Sequence, residues 1–222
     1  MWCIQTITDE YWTRMMDVLE VYERPYDPKR PVVCLDEKSK QLLTPSRPSL
    51  PMKSGQPQKV DYEYERHGTV NLFVATEPKG CFRDVCVTKR RTRKDFAKEI
   101  DHLLTDVYPD VDTVILVTDN LNIHFPKSLK ETFGEEYAEK LLRRIEWHYT
   151  PKHASWLDMA EIEINCLSRQ CLNQLFGHIK AISQSVKTWV KDRNKKGAGI
   201  NWTFTRERAK KTMGRRYENI KG

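Results

Sequence analysis

Apolar residues recur at three- and four-residue spacing across residues 7–24 (ITDEYWTRMMDVLEVYER), where Trp12, Met15, Met16, Leu19 and Tyr22 mark one face of a helix. Pro25 and Pro28 end it, because proline has no amide proton to donate and its ring collides with the preceding turn. The run Pro31-Val32-Val33-Cys34-Leu35 then reads as a short central strand that stops at an acid, Asp36. Pro45, Pro48, Pro51, Pro57 and Gly55 crowd residues 44–58, which therefore read as a long surface loop. Two strands are expected next, Val60–His67 and Thr69–Thr76, hinged at His67-Gly68 into an antiparallel hairpin. The alternation in Asp61-Tyr62-Glu63-Tyr64-Glu65 suits a half-exposed strand. A further strand is expected at Phe82–Thr88.

Helical spacing returns from Thr92 to Val107, with Phe96, Ile100, Leu103 and Leu104 on one face. Thr113-Val114-Ile115-Leu116-Val117-Thr118 is a buried strand that again stops at an acid, Asp119. Residues 126–143 read as helix and Ile145–Tyr149 as a strand. Ser155 to about Leu175 reads as one long helix, with Leu157, Ala160, Ile164, Leu167 and Cys171 sharing a face. Residues 176–194 and 205–218 look like two basic helices. Antiparallel strands followed by alternating strands and helices define an α/β chain: a mixed sheet with helices on both faces. No internal repeat is visible.

Composition narrows the partners. With 222 residues the chain is long enough to bury a real core. Its 38 Lys and Arg against 31 Asp and Glu leave a formal charge of +7, which favours a polyanion, nucleic acid before membrane. No run approaches the roughly 18 apolar residues of a membrane span. The first residues lack the basic-then-apolar pattern of a signal peptide, so a cytoplasmic location is expected. The six cysteines contain no CxxC pair, and Cys81/Cys86 and Cys166/Cys171 lack zinc-knuckle spacing; reduced, partly buried thiols are expected. His124, His148 and His153 form no HExxH-type pair.

The acids carry the chemistry. Asp36 and Asp119 each follow an apolar strand, and in open α/β sheets the reactive crevice lies outside such strand ends. Clustered carboxylates repel one another unless a cation compensates them. Hard divalent ions take oxygen ligands, and a pair of them can drive a phosphodiester displacement. A third acid from the helix beyond Ser155 would complete the set, either Glu161 or Glu163. Two positions apart on a helix means about 200°, so only one can face the site, and periodicity leaves the choice open. Glu37 points to the opposite strand face from Asp36 and reads as structural.

The segments PVVCLDEKSKQLL, VILVTDNLNIH and WHYTPKHASWLDMAEIEINCLSRQ resemble the three catalytic blocks of bacterial insertion-sequence transposases of the mariner-related superfamily, which belong to the DDE group. The likeness runs from about residue 12 to residue 216. The third block is the most specific, with His148, Thr150-Pro151, Ser155-Trp156-Leu157 and a helix acid in family order. The resemblance implies an RNase H-like fold, two Mg²⁺ (or Mn²⁺) ions, and a catalytic and metal-binding triad of Asp36, Asp119 and Glu161. Asn120 and His124 match the supporting Asn and His after the second acid, with His124 near metal-bound water or DNA. The 42-residue gap from Asp119 to Glu161 is longer than the common mariner spacing.

The resemblance also implies double-stranded DNA partners (transposon ends and target), a homodimer assembled on DNA and a bacterial, nucleoid-associated setting. Lys89, Arg90, Arg91, Arg93 and Lys94 crowd a helix start, where cations oppose the helix dipole, so DNA contact is expected there and at Lys152. The expected division is residues 1–30 as a linker helix from a missing DNA-binding region, 31–175 as the catalytic domain, and 176–222 as basic C-terminal helices packed on it. The alternatives are a truncated, transposition-incompetent remnant that only binds DNA or full-length transposase, and an RNase H-type nuclease acting on hybrids.

Overall fold

The computed structural model describes residues 7–59, 62–121 and 124–221. Five strands form one sheet: β1 (Val32–Pro45), β2 (Tyr64–Glu77), β3 (Phe82–Thr88), β4 (Val114–Thr118) and β5 (Ile145–Tyr149), in the order β3-β2-β1-β4-β5. The β1-β2 and β2-β3 pairs are antiparallel, while β1-β4 and β4-β5 are parallel. This is the mixed α/β, RNase H-like sheet expected from the order of the elements. Every residue of β4 is buried, as a central parallel strand covered on both faces requires.

Seven α-helices flank the sheet: α1 (Asp9–Glu23), α2 (Arg93–His102), α3 (Pro126–Phe133), α4 (Glu135–Leu142), α5 (Ala160–Gln170), α6 (Ile179–Lys195) and α7 (Arg206–Lys221). Side chains alternate across the sheet, so each strand feeds two cores. Val33, Leu35, Phe73, Ala75 and Leu116 meet Phe96, Ala97 and Ile100 of α2 on one face. On the other, Leu72 and Val74 meet Ile164 and Leu167 of α5 and Ile182 and Val186 of α6. A third cluster joins Met15 and Leu19 of α1 and Ala209 and Met213 of α7 to Ile115 and Val117 of β4. No helix among the described residues is long and apolar enough to cross a membrane.

Four local expectations need correction. β1 does not stop at Asp36; it continues to Pro45 because β2 offers a hydrogen-bonding partner along its whole length. Only the parallel pairing to β4 ends there, at Leu35 opposite Thr118. Thr69–Thr76 and the residues before it are not the two arms of a hairpin, since one continuous β2 runs through Gly68 and pairs with β1. Residues 60 and 61 of that expectation lie outside the described residues. Gln41 pairs with Thr69 and Leu43 with Arg66, so His67 and Gly68 together oppose Leu42. That is a bulge, and the positive φ of Gly68 (+92°) absorbs it.

The helix expected over residues 126–143 is split at Gly134, whose φ of +81° lies outside the helical region. The long helix from Ser155 to Leu175 is shorter and interrupted. A single 3₁₀ turn (Ser155–Leu157) precedes Asp158, whose Oδ1 accepts the Ala160 amide at 2.9 Å, and α5 begins at Ala160. Glu161 therefore stands in the first turn of α5, where a carboxylate is favoured by the helix dipole.

Candidate active site

Leu35 and Thr118 are the last partners of the parallel β1-β4 pairing, so Asp36, within β1, and Asp119, just past the end of β4, stand at the same level. Adjacent strands lie roughly 4.8 Å apart. The first turn of α5 brings Glu161 to the same place: Asp119 and Glu161 both act electrostatically on Asp36. Burial is the first cause that raises the Asp36 carboxyl to about 7. The Glu37 amide, 2.7 Å from Asp36 Oδ1, opposes the rise, and the charges of Asp119, Glu37 and Glu161 add to it.

Asp158 is a fourth acid at this point. It is fully buried, and burial first, then the charge of Asp36, push its carboxyl well above the usual range. Its Oδ2 has no hydrogen-bond partner. Behind it, the Tyr22 hydroxyl donates to the Leu157 carbonyl at 2.7 Å and lies 3.5 Å from Cys34 Sγ. The carboxylates of Asp36, Asp119 and Glu161 do not all come within 4.8 Å of one another, which among the described residues only Asp84, Cys86 and His102 do.

His124 fixes the second acid. It is 0% exposed, with Nδ1 2.7 Å from Asp119 Oδ1 and Nε2 2.6 Å from Glu37 Oε1. Its ring also packs on Phe96, centroids 4.7 Å apart. Burial disfavours the charged ring, but the hydrogen bonds to Asp119 and Glu37 outweigh it and push its pKa up to about 10. Sealed inside the protein, His124 bonds two carboxylates and orients that of Asp119. The Leu121 amide also donates to Asp119 Oδ1, at 3.1 Å, which leaves Oδ2 free of hydrogen bonds among the described residues. Asn120 is half-buried beside it.

Glu161 and Glu163 have different surroundings. Glu163 is 0% exposed and is held by two arginines: Arg193 Nε at 2.9 Å and Arg83 Nε at 3.2 Å. Glu161 is half-buried on the side of Asp36 and Asp158. Neither the bond of Glu37 to His124 nor the burial of Asp158 leaves a signal in the sequence. The face assigned to Glu37 was right, but its partner His124 lies 87 positions away and periodicity carries no trace of it.

Lys89, Arg90 and Arg91 precede α2 rather than opening it, and Arg93 and Lys94 form its first turn; all five are exposed. The helix dipole is answered by a capping box in which Thr92 and Asp95 bond each other's backbone. Arg93 pairs with Glu131 at 3.2 Å. Lys152 is exposed in the turn after β5, beside His153, whose φ is +60°. In the C-terminal basic region Arg193 is committed to Glu163 and Arg206 to Glu23.

A five-stranded sheet of this order, with acids of two neighbouring strands at one level, defines an RNase H-like fold. The family described as DDE superfamily endonuclease matches residues 31–183, and the chain belongs to it. Its fold is similar to that of the Mos1 mariner paired-end complex with Mn, with a TM-score of 0.55 and 17% identity, over 89% of this chain and 61% of that one. The Mos1 transposase paired-end complex with left transposon end gives 0.55 and 18%, over 89% and 60%. The Mos1 strand transfer complex gives 0.54 and 18%, over 85% and 56%. The chain thus spans about three fifths of the length of these solved proteins. No curated protein matches it.

Proposed function

We propose that the chain is the catalytic part of a transposase, a Mg²⁺- or Mn²⁺-dependent DNA endonuclease and strand-transferase. The observation that carries this reading is the meeting of Asp36, Asp119 and Glu161 at one edge of the sheet, with the Asp36 carboxyl raised to about 7 by burial and by its acidic neighbours. An all-oxygen donor set fits hard divalent cations. Asp36 and Asp119 would hold the metals, with Glu161 completing the second site. Bound there, the pair would supply charge that activates an attacking oxygen and neutralises a leaving one. His124, anchored on Glu37, fixes the rotamer of Asp119 and presents its Oδ2.

The similar solved structures support the substrate, for they are Mos1 complexes: a paired-end complex with Mn, one with the left transposon end, and a strand transfer complex. The partners of this chain are accordingly double-stranded DNA, as transposon ends and as target, and a second copy assembled on that DNA. The exposed Lys89, Arg90, Arg91 and Lys94, with Lys152, grip phosphates; such contacts position DNA without reading its sequence and weaken steeply with salt. In this division residues 31–175 carry the chemistry and 176–222 brace it. The setting is the DNA-containing cytoplasm of a bacterium. The test is incubation with Mg²⁺ or Mn²⁺ and a supercoiled plasmid bearing the inverted repeats that flank the coding sequence. Nicked or linear product that needs the metal is expected. Intact plasmid with either ion, alongside binding to the same DNA, would leave a remnant that occupies DNA without cutting it.

A stability prediction follows from the same carboxylates. Asp36 is raised in the folded state, so its contribution is fully present below about pH 4 and is lost as pH rises toward about 7; the buried Asp158 acts in the same sense. Metal-free protein should lose on the order of 1–3 kcal/mol of stability across that window from these groups. Mg²⁺ or Mn²⁺ should therefore raise the melting temperature more at pH 8 than at pH 5. Equal shifts at the two pH values would contradict it.

A further inference from the structure

On the opposite face of the sheet from Asp36, β3 and α2 bring together three residues that no transposase chemistry uses. Asp84 and Cys86 are two apart on β3, so they share a face, and they pair with Ala75 and Phe73, which belong to the core under α2. His102 closes the last turn of α2 above them. Asp84 Oδ2 lies 3.2 Å from His102 Nε2 and 3.7 Å from Cys86 Sγ, and the three donor atoms all fall within 4.8 Å of one another. Metal bonds of about 2.0–2.3 Å in a tetrahedron set ligand atoms roughly 3.3–3.8 Å apart. The two shortest separations here are close to that range.

We propose that Asp84, Cys86 and His102 form a second metal site, for a transition-metal cation of the Zn²⁺ class. Three independent features point to a cation. His102 Nδ1 is 2.8 Å from Asp106 Oδ2, the outer carboxylate that usually orients a metal-binding imidazole. Glu99, only 4% exposed, lines the same open cleft beside Cys86, yet its Oε1 has no partner. The donors themselves are half-buried, shielded enough to hold an ion and open enough to admit one.

Lys98 and Lys187 stand in the same cleft, and the carboxyl groups of Asp84, Asp95, Glu99 and Asp106 outnumber them. The donor set is N, S and O, which suits Zn²⁺, whereas the all-oxygen edge at Asp36 suits Mg²⁺. A fourth position is left for water, or for Glu99 after a change of rotamer. The ion would pin the C-terminal end of α2 to β3, two strands away from Glu37. The thiol loses its proton to solvent as the metal–sulfur bond forms, so no oxidant or reductant is involved.

The test is titration of the metal-free full chain with Co²⁺ and then Zn²⁺, reading the near-ultraviolet thiolate-to-cobalt band and the bound stoichiometry. One Co²⁺ with a thiolate band, displaced by Zn²⁺, is expected. Cys86→Ser should abolish the band, and His102→Gln and Glu99→Gln should each weaken binding by at least about tenfold. Asp119→Asn should leave the band unchanged, which separates this site from the Mg²⁺ edge. Absence of the band in the folded wild-type chain would overturn the proposal and leave a plain histidine–carboxylate ion pair. Persistence of the band in Cys86→Ser would overturn it too.

Discussion

Asp119→Asn is expected to lower metal-dependent DNA cleavage by at least about a thousandfold while leaving the fold intact. A metal ion stabilises developing charge in a phosphodiester displacement by several kcal/mol, and each 1.4 kcal/mol is a factor of ten in rate. Asparagine keeps the size of the side chain and an oxygen to accept from His124 Nδ1 and the Leu121 amide, so the local packing survives. What disappears is the negative charge that holds the ion beside Asp36. Plasmid cleavage assayed under matched Mg²⁺, with a thermal melt on the same samples, checks both halves. A variant within tenfold of the wild type would remove Asp119 from the proposed ligand set.

Glu163→Ala should destabilise the chain by about 3–5 kcal/mol, the cost of breaking a buried ion pair by removing one partner. Arg83 is 1% exposed, and without Glu163 its guanidinium keeps only backbone carbonyls and the Asn194 side chain as acceptors. Arg193 would lose its bonds to Glu163 at 2.9 and 3.2 Å. Against a typical total of 5–15 kcal/mol, that is a large share. Glu161→Ala should move the urea midpoint little, yet abolish cleavage. Urea denaturation of both variants reads the contrast directly. Equal destabilisation would contradict the separate surroundings of the two acids.

The sequence showed most clearly what depends on local pattern. β3, β4 and β5 were legible because each apolar run is also the whole of its pairing segment, and Asp119 was legible because β4 ends where it begins. β1 was not, since its length beyond Asp36 is set by β2, a partner that begins only at Tyr64. The bulge at Gly68 looked like a hinge because glycine serves both purposes. The break at Asp158 left no mark on the apolar spacing: Leu157 stays buried in the 3₁₀ turn and continues the stripe of α5. Periodicity could not separate Glu161 from Glu163 either, because that difference depends on arginines carried by β3 and α6. The Asp84, Cys86 and His102 group escaped a search for zinc-knuckle spacing, since two of its members are a strand pair and the third comes from a helix.

The most direct measurement is a crystal structure of the chain grown with Mn²⁺, with anomalous scattering to locate the ions. Two peaks roughly 4 Å apart are expected at the sheet edge, one touching Asp36 and Asp119 and the other touching Glu161. Strong scattering elsewhere, with none between those three side chains, would contradict the account.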